Sequence, residues 1–123
     1  MGMEVQMLPA QGPHFPDPIV TVEDAQKVLD RPVDTDKELD YVYKAITLTR
    51  QELKGQVPLI GFCGAPWTLF AYMIEGGGSK TFQKAKTWLW NQPELSSKLL
   101  SKIADIAATY LVGQIRAGAQ VSK

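Results

Sequence analysis

Apolar positions along the chain fall at two different spacings, and each change of period marks an element. In residues 1–20 a short β-prone run, Met3 to Leu8, gives way to a stretch holding four of the eight prolines, Pro9, Pro13, Pro16 and Pro18. Proline at that density opposes helix and most sheet pairing, so residues 1–20 read as a strand-like arm followed by a Pro-rich loop. From Thr21 the period becomes helical. Thr21 with Asp24 three residues on has the form of a helix cap, and Ala25, Val28 and Leu29 share one face until Pro32 stops the element. Thr35 with Glu38 gives a second capping box, which opens a helix with apolar positions Leu39, Val42, Tyr43, Ile46 and Leu53 and with Gly55 as its C-terminal cap.

Val57-Pro58-Leu59-Ile60-Gly61-Phe62-Cys63 is an apolar run too short for a helix, of the kind found in strands buried on both faces of a parallel sheet. Gly64-Ala65-Pro66 turns the chain, with Pro66 suited to the first helical position, and the helix from Trp67 to Glu75 ends at Gly76-Gly77-Gly78. Ser79 caps a helix through Trp90. Pro93 starts a long one bearing Leu95, Leu99, Ile103, Ile106, Tyr110 and Ile115, which stops at Gly118, and Ala119-Gln120-Val121 suits the first residues of another strand. One secure strand with helices on either side cannot complete an α/β sheet, because parallel pairing requires further crossovers. The expected fold is therefore α/β and helix-rich, residues 21–123 being helices around a strand at 57–62, and the chain reads as a piece of something bigger.

Composition narrows the class. With 123 residues, 45% hydrophobic and 21% charged, the chain is neither a disordered tail nor a coiled coil nor a collagen, and one domain is the expected count. Thirteen basic and thirteen acidic side chains give no reason to expect nucleic acid or an acidic membrane as the main partner. The balance is uneven, since residues 1–40 hold nine acids against three bases and residues 41–123 four acids against ten bases. A lone cysteine, Cys63, points to a reducing compartment. The first residues lack the basic and apolar regions of a secretory signal, and the most apolar stretch, Ile103 to Ile115, contains Asp105, Thr109 and Gln114 and is too short to span a bilayer. A soluble, cytoplasmic protein is the expectation.

Candidate chemistry is sparse. Gly76-Gly77-Gly78 before Ser79 and Lys80 invites a phosphate-loop reading, but it follows a helix and lacks the Walker spacing, so a flexible helix-to-helix turn is preferred. His14 has no acid or cysteine at ligand spacing and reads as a surface or packing histidine. Cys63 has nothing beside it to lower its pKa and reads as a buried thiol. Trp67, Phe70, Trp88 and Trp90 read mostly as core. Tyr72 differs by position, because it lies on the helix that follows the C-terminal end of a buried parallel strand, where α/β sheets and barrels place their ligands.

The stretch Gly61-Phe62-Cys63-Gly64-Ala65-Pro66-Trp67-Thr68-Leu69, followed by Tyr72-Met73-Ile74-Glu75-Gly76-Gly77-Gly78-Ser79, resembles the uroporphyrinogen decarboxylase family of the eukaryotic type. So do Gly2-Met3-Glu4-Val5, Gly12-Pro13-His14-Phe15-Pro16, Ala45-Ile46-Thr47-Leu48-Thr49-Arg50 and Ala117-Gly118-Ala119-Gln120, which carry the likeness from Gly2 to Gln120. The resemblance implies a (β/α)8 barrel, of which this chain is a part, in an enzyme that forms homodimers. It also implies cofactor-free and metal-free removal of carbon dioxide from the four acetate arms of uroporphyrinogen, giving coproporphyrinogen on the route to haem. Val57 to Phe62 would be a barrel strand. The Phe62 ring would line the substrate cleft, the Tyr72 hydroxyl would hydrogen-bond at the acetate being lost, and Gly64 would allow close backbone approach.

In that chemistry a pyrrole protonated at the adjacent carbon accepts the electrons of the broken bond, and arginines hold the many carboxylates. Only Arg31, Arg50 and Arg116 are present, and none matches a family substrate-binding arginine, so no catalytic residue is assigned in this chain and the chain is expected to be inactive alone. Val121-Ser122-Lys123 departs from the family pattern. Two rivals are a non-catalytic chain that binds or modulates the full-length enzyme and a corrinoid-dependent methyltransferase of similar fold. The second is disfavoured because its zinc site of His and Cys would have only Cys63.

Overall fold

Along the chain the elements run β1 (Gln6–Leu8), β2 (Gly12–His14), α1 (Val22–Asp30), α2 (Thr35–Glu38), α3 (Asp40–Glu52), β3 (Ile60–Gly61), α4 (Pro66–Glu75), α5 (Gln83–Asn91), α6 (Pro93–Ala117) and β4 (Val121–Ser122), in a computed structural model that describes residues 1–10 and 12–122. The architecture is helix-rich α/β with little sheet. Two compact units share it: residues 1–32 with 65–103, and residues 33–64 with those from 104 onward, so that α6 begins in the first and ends in the second.

The first unit holds the apolar core. Thr21 caps α1 reciprocally: its hydroxyl oxygen accepts from the Asp24 N–H at 3.2 Å, and the Asp24 carboxylate accepts from the Thr21 N–H at 3.0 Å. The capped helix presents Ala25 and Val28 to a cluster that includes Ile19, Phe70, Met73, Ile74, Leu99 and Ile103. Helix α4 starts at Pro66, whose missing N–H is not needed there, and stops at Gly76 with φ of 83°, a left-handed conformation that glycine adopts without strain. The loop before α1 is laced onto the end of α4, since the Phe15 N–H donates to the Gly76 carbonyl at 2.9 Å and the Ile19 N–H to the Met73 carbonyl at 2.8 Å. Lys102 of α6 donates to the Leu29 and Arg31 carbonyls at 2.6 and 2.5 Å, satisfying acceptors that the end of α1 leaves without helical partners.

Three sequence expectations change in this unit. The proline-rich stretch does pair: β1 and β2 form an antiparallel hairpin with Met7 opposite Pro13, which a two-stranded ribbon permits because every strand in it is an edge. Ser79 does not cap α5 directly. Its hydroxyl accepts from the Phe82 N–H at 3.0 Å one turn earlier, Phe82 occupies the cap position with φ of 51°, and the Glu75 carboxylate accepts from the Ala85 N–H at 3.1 Å inside the first turn. Trp90 is 87% exposed rather than core, whereas Phe70 is buried and Trp67 and Trp88 are half-buried; Trp67 packs its ring against Phe70 and Phe82.

In the second unit the cap of the second helical segment is Asp34, not Thr35. The Asp34 carboxylate accepts from the Asp36 and Lys37 N–H groups, and the buried Thr35 becomes the first residue of α2. The expected single helix is interrupted at Leu39 (φ −115°, ψ 15°), and α3 then runs to Glu52. Tyr43 lies over Gly113, where an added Cβ would fall 2.4 Å from the phenol ring, so only glycine permits this approach. The Thr47 hydroxyl donates to the Ala117 carbonyl at 2.9 Å. Strands β3 and β4 are parallel, with Ile60 beside Val121 and Gly61 beside Ser122. The run from Val57 is not buried on both faces: Gly61 is buried, but Val57, Ile60 and Phe62 are exposed, because among the described residues its only strand neighbour is two residues long. Ile115, expected on the apolar face of α6, is likewise exposed.

Candidate functional site

Phe62 stands immediately after β3 and is 70% exposed. What fixes it is its backbone. The Gln114 side chain accepts from the Phe62 N–H at 2.8 Å and donates its own N–H to the Phe62 carbonyl at 2.8 Å. A second glutamine does similar work at the start of the strand, where the Gln120 side-chain oxygen accepts from the Leu59 N–H at 3.1 Å and the Gln120 N–H donates to the Leu59 carbonyl at 2.8 Å. The β3 backbone from Leu59 to Phe62 is thus held by β4 in the middle and by a glutamine at each end.

Tyr72 lies in the first unit, on α4, where it is half-buried beside the buried Ala71 and Met73. Its carbonyl accepts the Gly76 N–H that closes the helix, at 3.0 Å. The two residues expected at the substrate, Phe62 and Tyr72, therefore belong to different units, each with its own hydrogen-bonded frame: a clamped strand end and a helix that starts at proline and ends at glycine.

The remaining candidates divide cleanly. Cys63 is half-buried with its thiol 3.4 Å from the Gly64 carbonyl, and burial pushes its pKa up, the opposite of what a nucleophile needs. Burial also raises the Tyr110 phenol, with further contributions from Cys63, Tyr43 and Tyr41, and its ring lies 6.0 Å from that of Tyr43. His14 is exposed on β2 and borders a cleft of about 610 Å3 with Phe15 and Gly76 to Ser79, and the triple glycine lies between the end of α4 and the start of α5. Among the described residues no three His, Cys, Asp or Glu side chains gather as metal ligands, and no helix is long and apolar enough to cross a membrane.

The sequence reading did not single out Gln114. It is 52 residues from its partner, and no local spacing announces such a pair; the one available signal was a primary amide within the apolar half of α6, a position that burial makes costly unless both ends of the amide are satisfied.

A family model described as uroporphyrinogen decarboxylase (URO-D) matches residues 1–123. Relatives with the name uroporphyrinogen decarboxylase include those of Danio rerio, 62% identical over 120 residues, of Dictyostelium discoideum, 56% identical over 120 residues, and of Homo sapiens, 54% identical over 120 residues. Each match covers 98% of this chain but 32%, 33% and 32% of the relative, so the chain spans about a third of their length.

Proposed function

Since the chain belongs to the uroporphyrinogen decarboxylase family, matched along its whole length, we propose that it contributes residues to the binding of uroporphyrinogen in the complete enzyme, where the substrate loses its acetate carboxyls. The parallel β3–β4 pair, joined through a helical crossover, is read as two neighbouring strands of a (β/α)8 barrel, and the complete enzyme as a cytoplasmic homodimer. The exposed Phe62 ring offers a flat apolar surface to a pyrrole, and the Tyr72 hydroxyl donates to the acetate carboxylate that departs.

The reaction places particular demands on the protein. A proton adds to the pyrrole carbon next to the acetate-bearing one, and the resulting cation draws in the electron pair of the carbon–carboxylate bond as carbon dioxide leaves. A second protonation turns the methylene into a methyl group, and the ring proton is released, so the substrate is its own electron sink. The protein must hold several carboxylates and stabilise the cation with a fixed anion. These 123 residues carry no arginine assigned to that work: Arg31 ends α1, and Arg50 lies over Gly118. The chain alone is therefore proposed to be inactive.

The observation that carries this reading is the family match over residues 1–123, which includes both Phe62 and Tyr72. Its test is a chimaera in which the chain replaces the 120-residue stretch it matches in the Danio rerio relative. The chimaera is expected to convert uroporphyrinogen anaerobically, and Tyr72→Phe in it to lose about ten- to a hundredfold in kcat, the worth of one hydrogen bond to a charged group. An unchanged kcat in Tyr72→Phe removes the role given to the hydroxyl, and coproporphyrinogen made by the chain alone, above a no-protein control, overturns its inactivity.

A second reading is favoured by the exposed Ile60 and Val121 side chains, which are register partners on the β3–β4 pair. In it the chain is non-catalytic and binds a full-length member of its family to modulate it. Co-expression and pull-down decide the matter, since failure to retain the full-length subunit ends this reading.

A further inference from the structure

We propose that Gln114 is a positioning residue for the decarboxylation: it aims the Phe62 ring at the substrate by holding both backbone groups of Phe62. The inference rests on the reading of Phe62 as a pocket residue and goes one step behind it.

Gln114 is 2% exposed, which makes it one of the largest fully buried side chains described, in a unit whose buried apolar side chains are otherwise the small Ala107 and Ala119. An unpaired primary amide at such a site would be strongly unfavourable. Here both ends are used, and both on one residue: the oxygen accepts from the Phe62 N–H and the nitrogen donates to the Phe62 carbonyl, each at 2.8 Å. Among the described residues the pairs with β4 are Ile60 with Val121 and Gly61 with Ser122, and Phe62 itself is exposed, with little packing to orient its ring. Fixing the peptide groups on both sides of the Phe62 Cα restrains φ and ψ together, and these set the direction of the Cα–Cβ bond.

The choice of side chain follows from the geometry. Only an amide offers a donor and an acceptor side by side; an ionised carboxylate only accepts, and an aliphatic chain does neither. Simple space-filling at this position would be met by methionine or leucine.

The experiment uses two readouts. In the 123-residue chain, Gln114→Met keeps length and volume but removes both hydrogen bonds, and amide exchange at Phe62 is expected to quicken at least tenfold relative to that at Gly61. In the chimaera with the Danio rerio relative, Phe62→Ala, Gln114→Met and the double variant are compared by kcat/KM per folded enzyme. Each single variant is expected to lose about tenfold, with the double variant no worse than Phe62→Ala, because Gln114 acts through Phe62. If Phe62→Ala lowers kcat/KM while Gln114→Met leaves it unchanged, or if the two losses multiply, the positioning role is overturned and the pocket reading survives. If Phe62→Ala has no effect, the pocket reading falls and takes this inference with it. Should the methionine variant not fold, Gln114→Glu, which keeps the length and the acceptor but loses the donor when ionised, carries the same comparison.

Discussion

Lys102→Met tests whether the end of α1 depends on a borrowed cation. In the folded chain the Lys102 ammonium donates to the Leu29 carbonyl at 2.6 Å and to the Arg31 carbonyl at 2.5 Å. Hydrogen bonds to charged groups contribute about 1.5–3 kcal/mol each, and a cation at a helix C-terminus adds roughly 0.3–1 kcal/mol. Lys102 is half-buried and Arg31 is exposed, so water can take over part of the work once the ammonium is gone. The expected loss is accordingly about 2–3 kcal/mol rather than the full sum. Methionine matches the length of the aliphatic stem and keeps its packing, which isolates the polar contribution. Urea unfolding followed by helical circular dichroism gives the difference, with Lys102→Arg as a control that keeps the charge but not the compact ammonium. A loss below about 0.5 kcal/mol, the value of an ordinary surface contact, refutes the reasoning.

Other consequences can be checked in the same chain. The Thr21 hydroxyl and N–H hold the Asp24 carboxyl below its ordinary pKa, so its contribution to stability is present above the unfolded-state value and is lost as the pH falls through the folded-state value. Thr21→Val should return the Asp24 titration, followed by NMR, toward its ordinary position, and no movement would contradict the assignment. Gly76→Ala forces a side chain into a left-handed φ of 83° at the end of α4 and should cost about 1 kcal/mol in a urea titration; a neutral result would mean that the turn relaxes freely. Burial raises the Cys63 thiol, so the folded state favours the protonated form, and the associated stability is complete below the unfolded-state pKa and fades as the pH rises through the folded-state one. Alkylation by iodoacetamide should be slower in the folded than in the urea-unfolded chain at mildly alkaline pH, and equal rates would remove the claim.

Local signals were the legible part of this fold. Thr21 with Asp24, Pro66 at the start of α4, Gly76 at its end and Pro93 at the head of α6 act over one helical turn, and each occurs where its chemistry predicts. Where two neighbours could play one part, the sequence did not decide: Asp34 and Thr35 both suit a cap, and the carboxylate that reaches two N–H groups takes it. Ser79 and Glu75 share the start of α5 in the same way, one of them from the preceding helix. Burial was harder to read, because it depends on what covers a residue. Trp90 and Ile60 look like core by composition and are exposed, since no described element packs over them. At the candidate site, Phe62 and Tyr72 come from a family resemblance, whereas the clamp that holds Phe62 joins residues 52 positions apart and has no signature in either neighbourhood.

The division of the chain into two units has an optical consequence. Trp67, Trp88 and Trp90 all fall in the first, while Tyr41, Tyr43 and Tyr110 fall in the second, so indole emission watches one body and phenol absorbance chiefly the other. A single cuvette can therefore tell whether the half that carries Tyr72 and the half that carries Phe62 come apart together or one after the other.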